Sequence, residues 1–305
     1  MNVLLTGATG FIGSHIARRL IEEGHTVRAA VRPGSDLTRI ADVADRIERV
    51  PIDLFAAEPA ALAGLAAGTE RCIHAAWYAV PGKYLAAPEN HACVAGSLRL
   101  LQGLAAAECK RAVFIGSCFE YDFDAGYLTE SGAVRPLSLY AASKLATRFM
   151  GEHTAKLAGI GFAWVRLFYQ YGPFEDARRL VPHVIESLLA GKTVEVTRGM
   201  QVRDFLHVAD VAAAVAAVAL AEVEGVVNVG SGDPVTVRRI VATLERLLER
   251  QGMVRYGARP DNPTDPPFVC ADNRKLVAAT GWSPRFDLES GLADTIRWTR
   301  ERTAT

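Results

Sequence analysis

The sequence predicts a doubly wound α/β fold, a mostly parallel sheet covered by helices on both faces, with a smaller C-terminal lobe. Three observations carry this expectation. Short apolar runs alternate with helical periodicity from the start of the chain, and strands separated by helices require crossover connections. The first strand-to-helix turn is rich in glycine. After about residue 170 the alternation loosens, and a length of 305 residues suits two domains or one large unit with an appended lobe. Residues 1–170 are read as the first unit, joined by strand and helix contributions from later segments. Residues 171–305 are read as mainly the second.

Taken in order, residues 2–5 are an apolar run ending in Thr6-Gly7. Residues 11–23 have helical periodicity that Gly24-His25 stops, and residues 26–31 read as the next strand. Residues 50–52, 72–76, 112–115 and 162–167 are further buried strands, with long helical stretches at 89–107 and 139–157. Beyond them Tyr171-Gly172-Pro173 is a turn, and residues 194–196 and 226–229 are short strands. Residues 255–267 hold four prolines and little periodicity, as lids and binding loops often do.

Half of the residues are hydrophobic and 22% are charged, and 34 Lys and Arg balance 34 Asp and Glu. Such a chain is globular and projects no long-range field toward nucleic acid or an anionic membrane, so a small molecule is the expected partner. Five cysteines, Cys72, Cys93, Cys109, Cys118 and Cys270, contain no C-x-x-C pair and are odd in number. Neither a disulfide framework nor a zinc site is expected. His15, His25, His91, His153 and His183 lie apart without ligand spacing, so no metal is expected. The first residues lack a signal-peptide pattern, and the apolar stretch at 211–221 is too short to span a bilayer. The expectation is a soluble, cytoplasmic protein.

The first turn, Thr6-Gly7-Ala8-Thr9-Gly10-Phe11-Ile12-Gly13, places Gly7, Gly10 and Gly13 where backbone amides can approach a pyrophosphate. The helix beginning at Phe11 aims its positive end at that charge. At the end of the second strand Val31 cannot accept from a ribose hydroxyl, whereas Arg32 and Ser35 can hold a 2′-phosphate. NADP(H) is therefore favoured, with NAD(H) possible. Tyr140 and Lys144 are four apart on one helical stretch and share a face. A nearby ammonium is expected to favour the phenolate and lower the tyrosine pKa. Ser117 sits at a strand's carboxyl end, where its hydroxyl can hold a carbonyl oxygen.

With these residues in place the chain resembles an extended short-chain dehydrogenase/reductase of the sugar-nucleotide epimerase, dehydratase and ketoreductase kind. Residues 6–13 match that family's fingerprint, and Ser117 with Tyr140 and Lys144 its catalytic residues. Arg166-Leu167-Phe168, Tyr171-Gly172-Pro173, Arg203-Asp204-Phe205-Leu206-His207-Val208 with Asp210, and Gly281-Trp282 with Pro284 match later motifs. The resemblance implies a Rossmann sheet with a substrate-binding lobe and a homodimer built on the two long helices. It implies cofactor contacts from Phe11, Ile12, Asp53, Leu54, Ala75, Ala76, Tyr140, Lys144 and Phe168, with Lys144 holding the ribose, and a diphosphate contact from Arg203. A brace to Asp204 or Asp210 is the structural alternative for Arg203. Where family dehydratases carry an Asp-Glu pair this chain has Cys118 and Phe119, with Glu120 one place off, so dehydration is not expected. Tyr169 replaces an asparagine that contacts the sugar nucleotide, and Cys93 replaces another on the helix after the fourth strand. Trp77 and Tyr78 either line the mouth of the site or pack under a loop.

The expected activity is reduction of a ring ketone on a nucleotide-linked sugar or deoxysugar, with Tyr140 as general acid. The alternatives are a nucleotide-sugar 4-epimerase with a retained cofactor, a reductase of a non-sugar carbonyl, and a non-catalytic dinucleotide sensor.

Overall fold

The computed structural model describes residues 1–303. Seven parallel strands form the central sheet. Across it they run Gly225–Val229, Gly161–Leu167, Arg111–Ser117, Arg71–His74, Asn2–Thr6, Thr26–Val31 and Ile47–Pro51. The chain builds outward from Asn2–Thr6 in one direction, then returns to its other side and builds outward again. In open α/β sheets such a reversal is where flanking helices part and ligands bind, outside the carboxyl ends of the strands. Thr6 is in register with Ala30 on one side and His74 on the other. The glycine turn, Arg32 and Ala75 therefore emerge along one edge.

Strands covered on both faces must be apolar on both, and all seven residues of Arg111–Ser117 are buried. Phe11–Glu22 and Val208–Leu220 pack on one face, through Ile16, Leu20, Val211 and Val215. Glu89–Ala106 and Leu139–Ala158 cover the other, where Leu100, Leu104 and Ala155 meet Phe114 and Phe162. The apolar stretch expected near 211–221 is the Val208–Leu220 helix, whose alanines pack it closely against Phe11–Glu22.

A second sheet orders Pro234–Thr236, Val202–His207, Phe268–Ala271 and Tyr127–Leu128, with Tyr169–Tyr171 also paired to Val202–His207. Val194–Val196 and Val254–Tyr256 form a separate parallel pair. The helices Leu180–Leu189, Val237–Leu247 and Leu288–Thr303 share a third core with them. Two of these strands have no signature in the sequence. Val202–His207 buries Arg203 and Asp204 among its apolar residues, and Phe268–Ala271 is four residues long and follows the prolines. All five cysteines are free and buried. Among the described residues no helix is long and apolar enough to cross a membrane, and no group of three His, Cys, Asp or Glu side chains could hold a metal.

Candidate active site

The glycine turn is shaped by what a side chain would strike. Gly7 has φ +76°, and a Cβ there would lie 2.7 Å from Ala76 N and 2.8 Å from the Ala75 carbonyl carbon. A Cβ on Gly13 would lie 2.0 Å from Gly7 O. Only glycine lets the turn close against the end of Arg71–His74. No side chain caps the helix that starts at Phe11, so the first-turn amides of Phe11, Ile12 and Gly13 are available to an anion. The cradle fits a dinucleotide pyrophosphate.

Beside it runs a buried hydrogen-bond chain. His74 Nδ1 meets Thr6 Oγ1 at 2.7 Å and His74 Nε2 meets Ser97 Oγ at 2.7 Å. Ala76 N donates to Thr6 Oγ1 at 3.2 Å. Burial pushes His74 down to about 3, so the ring is neutral. Its partners fix Ala75 and Ala76 against the turn. Arg32 is exposed just past Thr26–Val31, and Ser35 N donates to Arg32 O. The nearest carboxylate in sequence, Asp36, is turned onto the Thr38 amide and hydroxyl at 2.9 and 2.6 Å. Asp53 is exposed after Ile47–Pro51 and accepts from Phe55 N, while Leu54 is buried beside it.

Ser117 ends Arg111–Ser117. Tyr140 and Lys144 lie in the first turns of Leu139–Ala158, whose start is capped by Ser138 accepting from Ala141 N. Ser117 and Tyr140 face each other, and Lys144 stands beside them. Ser117 is in hydrogen-bonding reach of the Tyr140 phenol, and Lys144 Nζ donates to Ile115 O, two residues before Ser117, at 2.6 Å. Burial pushes the Tyr140 phenol above its ordinary value, with the Ser117 hydrogen bond opposing. Burial likewise pushes the Lys144 ammonium down, with the Glu120 carboxylate opposing. The expected net lowering of Tyr140 is thus reversed in this pocket. Lys144 Nζ stands 5.8 Å from the phenol ring centre, and desolvation outweighs it.

Glu120, set aside in the sequence as one place off, braces the site. Oε1 accepts from Ser117 N at 2.8 Å, closing a capping box with Phe119 N on Ser117 Oγ. The Trp164 indole donates to both oxygens at 3.0 Å, and Arg166 Nε to Oε2 at 2.7 Å. Glu120 and Arg166 are fully buried; the surrounding donors compensate the Glu120 carboxylate, while Arg166 has that carboxylate on Nε and the Tyr121 ring centre 4.0 Å from its guanidinium carbon. A Cβ on Gly116 would lie 2.2 Å from Trp164 Nε1, so this glycine makes room for the brace. The S-x-x-E spacing of Ser117 and Glu120 was the available signal.

Just past Ser117 the Cys118 thiol is pushed up to about 12 by burial, and Phe119 makes edge contacts with Phe123 and Tyr169. Neither offers acid–base chemistry at neutral pH. Tyr169 packs on Phe205, and burial pushes its phenol up. Arg203 is 3% exposed, stands over the Tyr169 ring, and pairs with Asp265 of the proline-rich stretch. The braces to Asp204 or Asp210 do not form. Asp204 accepts from the Ser231, Gly232 and Ala271 amides, and Asp210 from the Arg285 and Phe286 amides. The Phe168 side chain lies in a small core with Tyr121, Leu128 and Val269, and its amide donates to Val229 O.

Comparison with known proteins follows the same outline. The sequence signature of the NAD dependent epimerase/dehydratase family matches residues 3–230. The chain is 27% identical to a probable UDP-glucuronate 4-epimerase of Rhizobium meliloti, covering 98% of this chain and 96% of that protein. It is 24% identical to the CDP-abequose synthase of Salmonella muenchen, over 95% of each. Among solved structures, a UDP-N-acetylglucosamine 4-epimerase from Methanobrevibacter ruminantium superposes with a TM-score of 0.89. That pair shares 26% identity over 99% of this chain and 98% of the other. A dTDP-glucose 4,6-dehydratase from Streptomyces venezuelae, solved with NAD, gives 0.86 at 26% identity over 100% and 98%.

Proposed function

Because the chain belongs to the NAD dependent epimerase/dehydratase family, we propose that it reduces a ring ketone of a nucleotide-linked sugar, with Tyr140 as general acid and NADP(H) preferred. The observation that carries this reading is the grouping of Ser117 and Tyr140, with Lys144 beside them, next to a glycine cradle that fits a dinucleotide. When bound, the nicotinamide supplies the hydride. Tyr140 gives its proton to the oxygen that gains charge, while Ser117 donates to the same oxygen and Lys144 stabilises the phenolate left behind. Gly7, Gly10, Phe11, Ile12 and Gly13 hold the pyrophosphate, and Arg32 and Ser35 the 2′-phosphate. Asp53 and Leu54 face the adenine side, and Ala75, Ala76 and Phe168 the nicotinamide half. Arg203, Tyr169, Cys118 and Phe119 form the sugar-nucleotide side.

A second reading is supported by relatives named as 4-epimerases. Oxidation and re-reduction of one carbon with a retained cofactor would use the same three residues. Cys118 and Phe119 supply no acid–base pair for a dehydration. We place the protein in the cytoplasm, where five free cysteines stay reduced, and as a homodimer.

Tyr140→Phe keeps the ring and removes the proton. Turnover of a nucleotide-linked keto-sugar should fall by about 10²–10⁴-fold, with cofactor affinity unchanged in a parallel titration. Near-parental turnover would overturn the assignment. In the same assay a reductase oxidises one NADPH per product, whereas an epimerase leaves the cofactor pool unchanged.

A further inference from the structure

The segment joining Arg71–His74 to Glu89–Ala106 places Trp77 against the lysine of the site. The centre of its ring lies 3.7 Å from Lys144 Nζ. The indole N–H donates to Asn90 Oδ1 at 2.8 Å. Asn90 is fully buried and donates its amide hydrogens to Tyr84 O and Ala87 O, both at 2.8 Å. One side chain thus fastens the segment at three points and fixes the plane of the indole. The rings of Tyr140 and Trp164 stand farther from the same ammonium, at 5.8 and 6.0 Å.

The titratable groups facing Lys144 come from four elements. Glu120 follows Arg111–Ser117, Cys93 lies on Glu89–Ala106, His74 ends Arg71–His74, and Tyr140 is on its own helix. His74 is neutral, burial raises the Cys93 thiol, and Glu120 is hydrogen-bonded to Arg166 and Trp164. Among the described residues no carboxylate is hydrogen-bonded to Lys144, whose hydrogen bond goes to Ile115 O. After the Ile115 carbonyl, the Trp77 face at 3.7 Å is the nearest negative potential the ammonium meets, and a desolvated cation gains from it.

Resting on the catalytic assignment of Lys144 above, we propose that Trp77 is a positioning residue for that ammonium. Its indole face holds Lys144 in place and charged, and Asn90 holds the indole.

Trp77→Met keeps bulk and removes the ring, while Trp77→Phe keeps a ring. In Trp77→Met the alkaline limb of the kcat–pH profile should move down by about one pH unit, because losing the contact favours the neutral amine. In Trp77→Phe it should stay near that of the parent. Lys144→Met is measured alongside. If that variant stays active, the assignment of Lys144 fails and this proposal fails with it. If it is inactive while the Trp77→Met profile superimposes on the parent's, the proposal alone is overturned. A second readout needs no folded Trp77→Met. Tryptophan emission of the parent, titrated through the alkaline limb, should show a step that vanishes in both Lys144→Met and Trp77→Phe. A step surviving in Trp77→Phe assigns it to another indole and overturns the proposal.

Discussion

At the scale of single residues, Arg32 is the side chain to which we assign the preference between cofactors. It projects into solvent past the second strand, and the neighbouring carboxylate of Asp36 is held by Thr38. A charge-assisted hydrogen bond contributes roughly 1.5–3 kcal/mol, so Arg32→Ala should weaken NADPH binding about tenfold or more and leave NADH binding nearly unchanged. Calorimetric titration of both cofactors checks this, and equal affinities in the parent would remove the preference. Residues whose chemistry depends on local spacing were legible in the chain. Tyr140 and Lys144 are one helical turn apart, and Ser117 ends an apolar run. Residues whose partners come from afar were not. Glu120 meets donors 44 and 46 residues away, and Arg203 meets Asp265 across 62. Nothing in their flanking sequence announces those pairings.

At the scale of elements, the two long helices over the sheet each bury one stripe and expose another. On Leu139–Ala158 the exposed positions Ala142, Ala146, Phe149, Met150, His153 and Leu157 follow helical spacing. Phe149, Met150 and Leu157 are 46, 54 and 91% exposed. On Glu89–Ala106 the exposed set includes Ala92, Ala95 and Gln102. Small residues beside a few large apolar ones suit close packing against a second copy. A dimer is expected in sedimentation experiments, and Met150→Glu, which would bury a charge at that contact, should sediment as a monomer with its fold intact. A monomeric parent would remove the proposal. The long helices were readable because their periodicity runs through 18 and 20 residues. The strand Val202–His207 was not, since its buried arginine and aspartate are matched by partners from other elements and break the apolar pattern.

For the whole molecule, buried ionisable groups set the acid response. Burial pushes His15 down to about 4 and His74 to about 3. A histidine lowered in the folded state contributes fully above its unfolded value of about 6.5 and loses that contribution as pH falls toward the folded value. Glu175, pushed up to about 8 by burial, works the other way and gains as pH falls toward the ordinary carboxylate range. Burial lowers His207 to about 3 as well, and three histidines against one carboxyl leave a net loss on the order of 2–3 kcal/mol per pH unit below about pH 6.5. Calorimetry should find a lower Tm at pH 5 than at pH 7. His74→Asn should lower Tm at pH 7 yet narrow the gap between the two, and an unchanged gap would contradict the neutral histidine.

The path of the chain between its two sheets bears on how such a protein can diversify. Tyr127–Leu128 enters the second sheet before Gly161–Leu167 has joined the first. Gly225–Val229 returns to the first after Val202–His207 has joined the second, and Phe268–Ala271 goes back again. No single cut separates one sheet from the other, so a recombination event cannot exchange the second sheet as a cassette. Change on either side of the molecule must then be acquired in place, one codon at a time. Lineages built on this scaffold would then drift apart in sequence long before their backbones do.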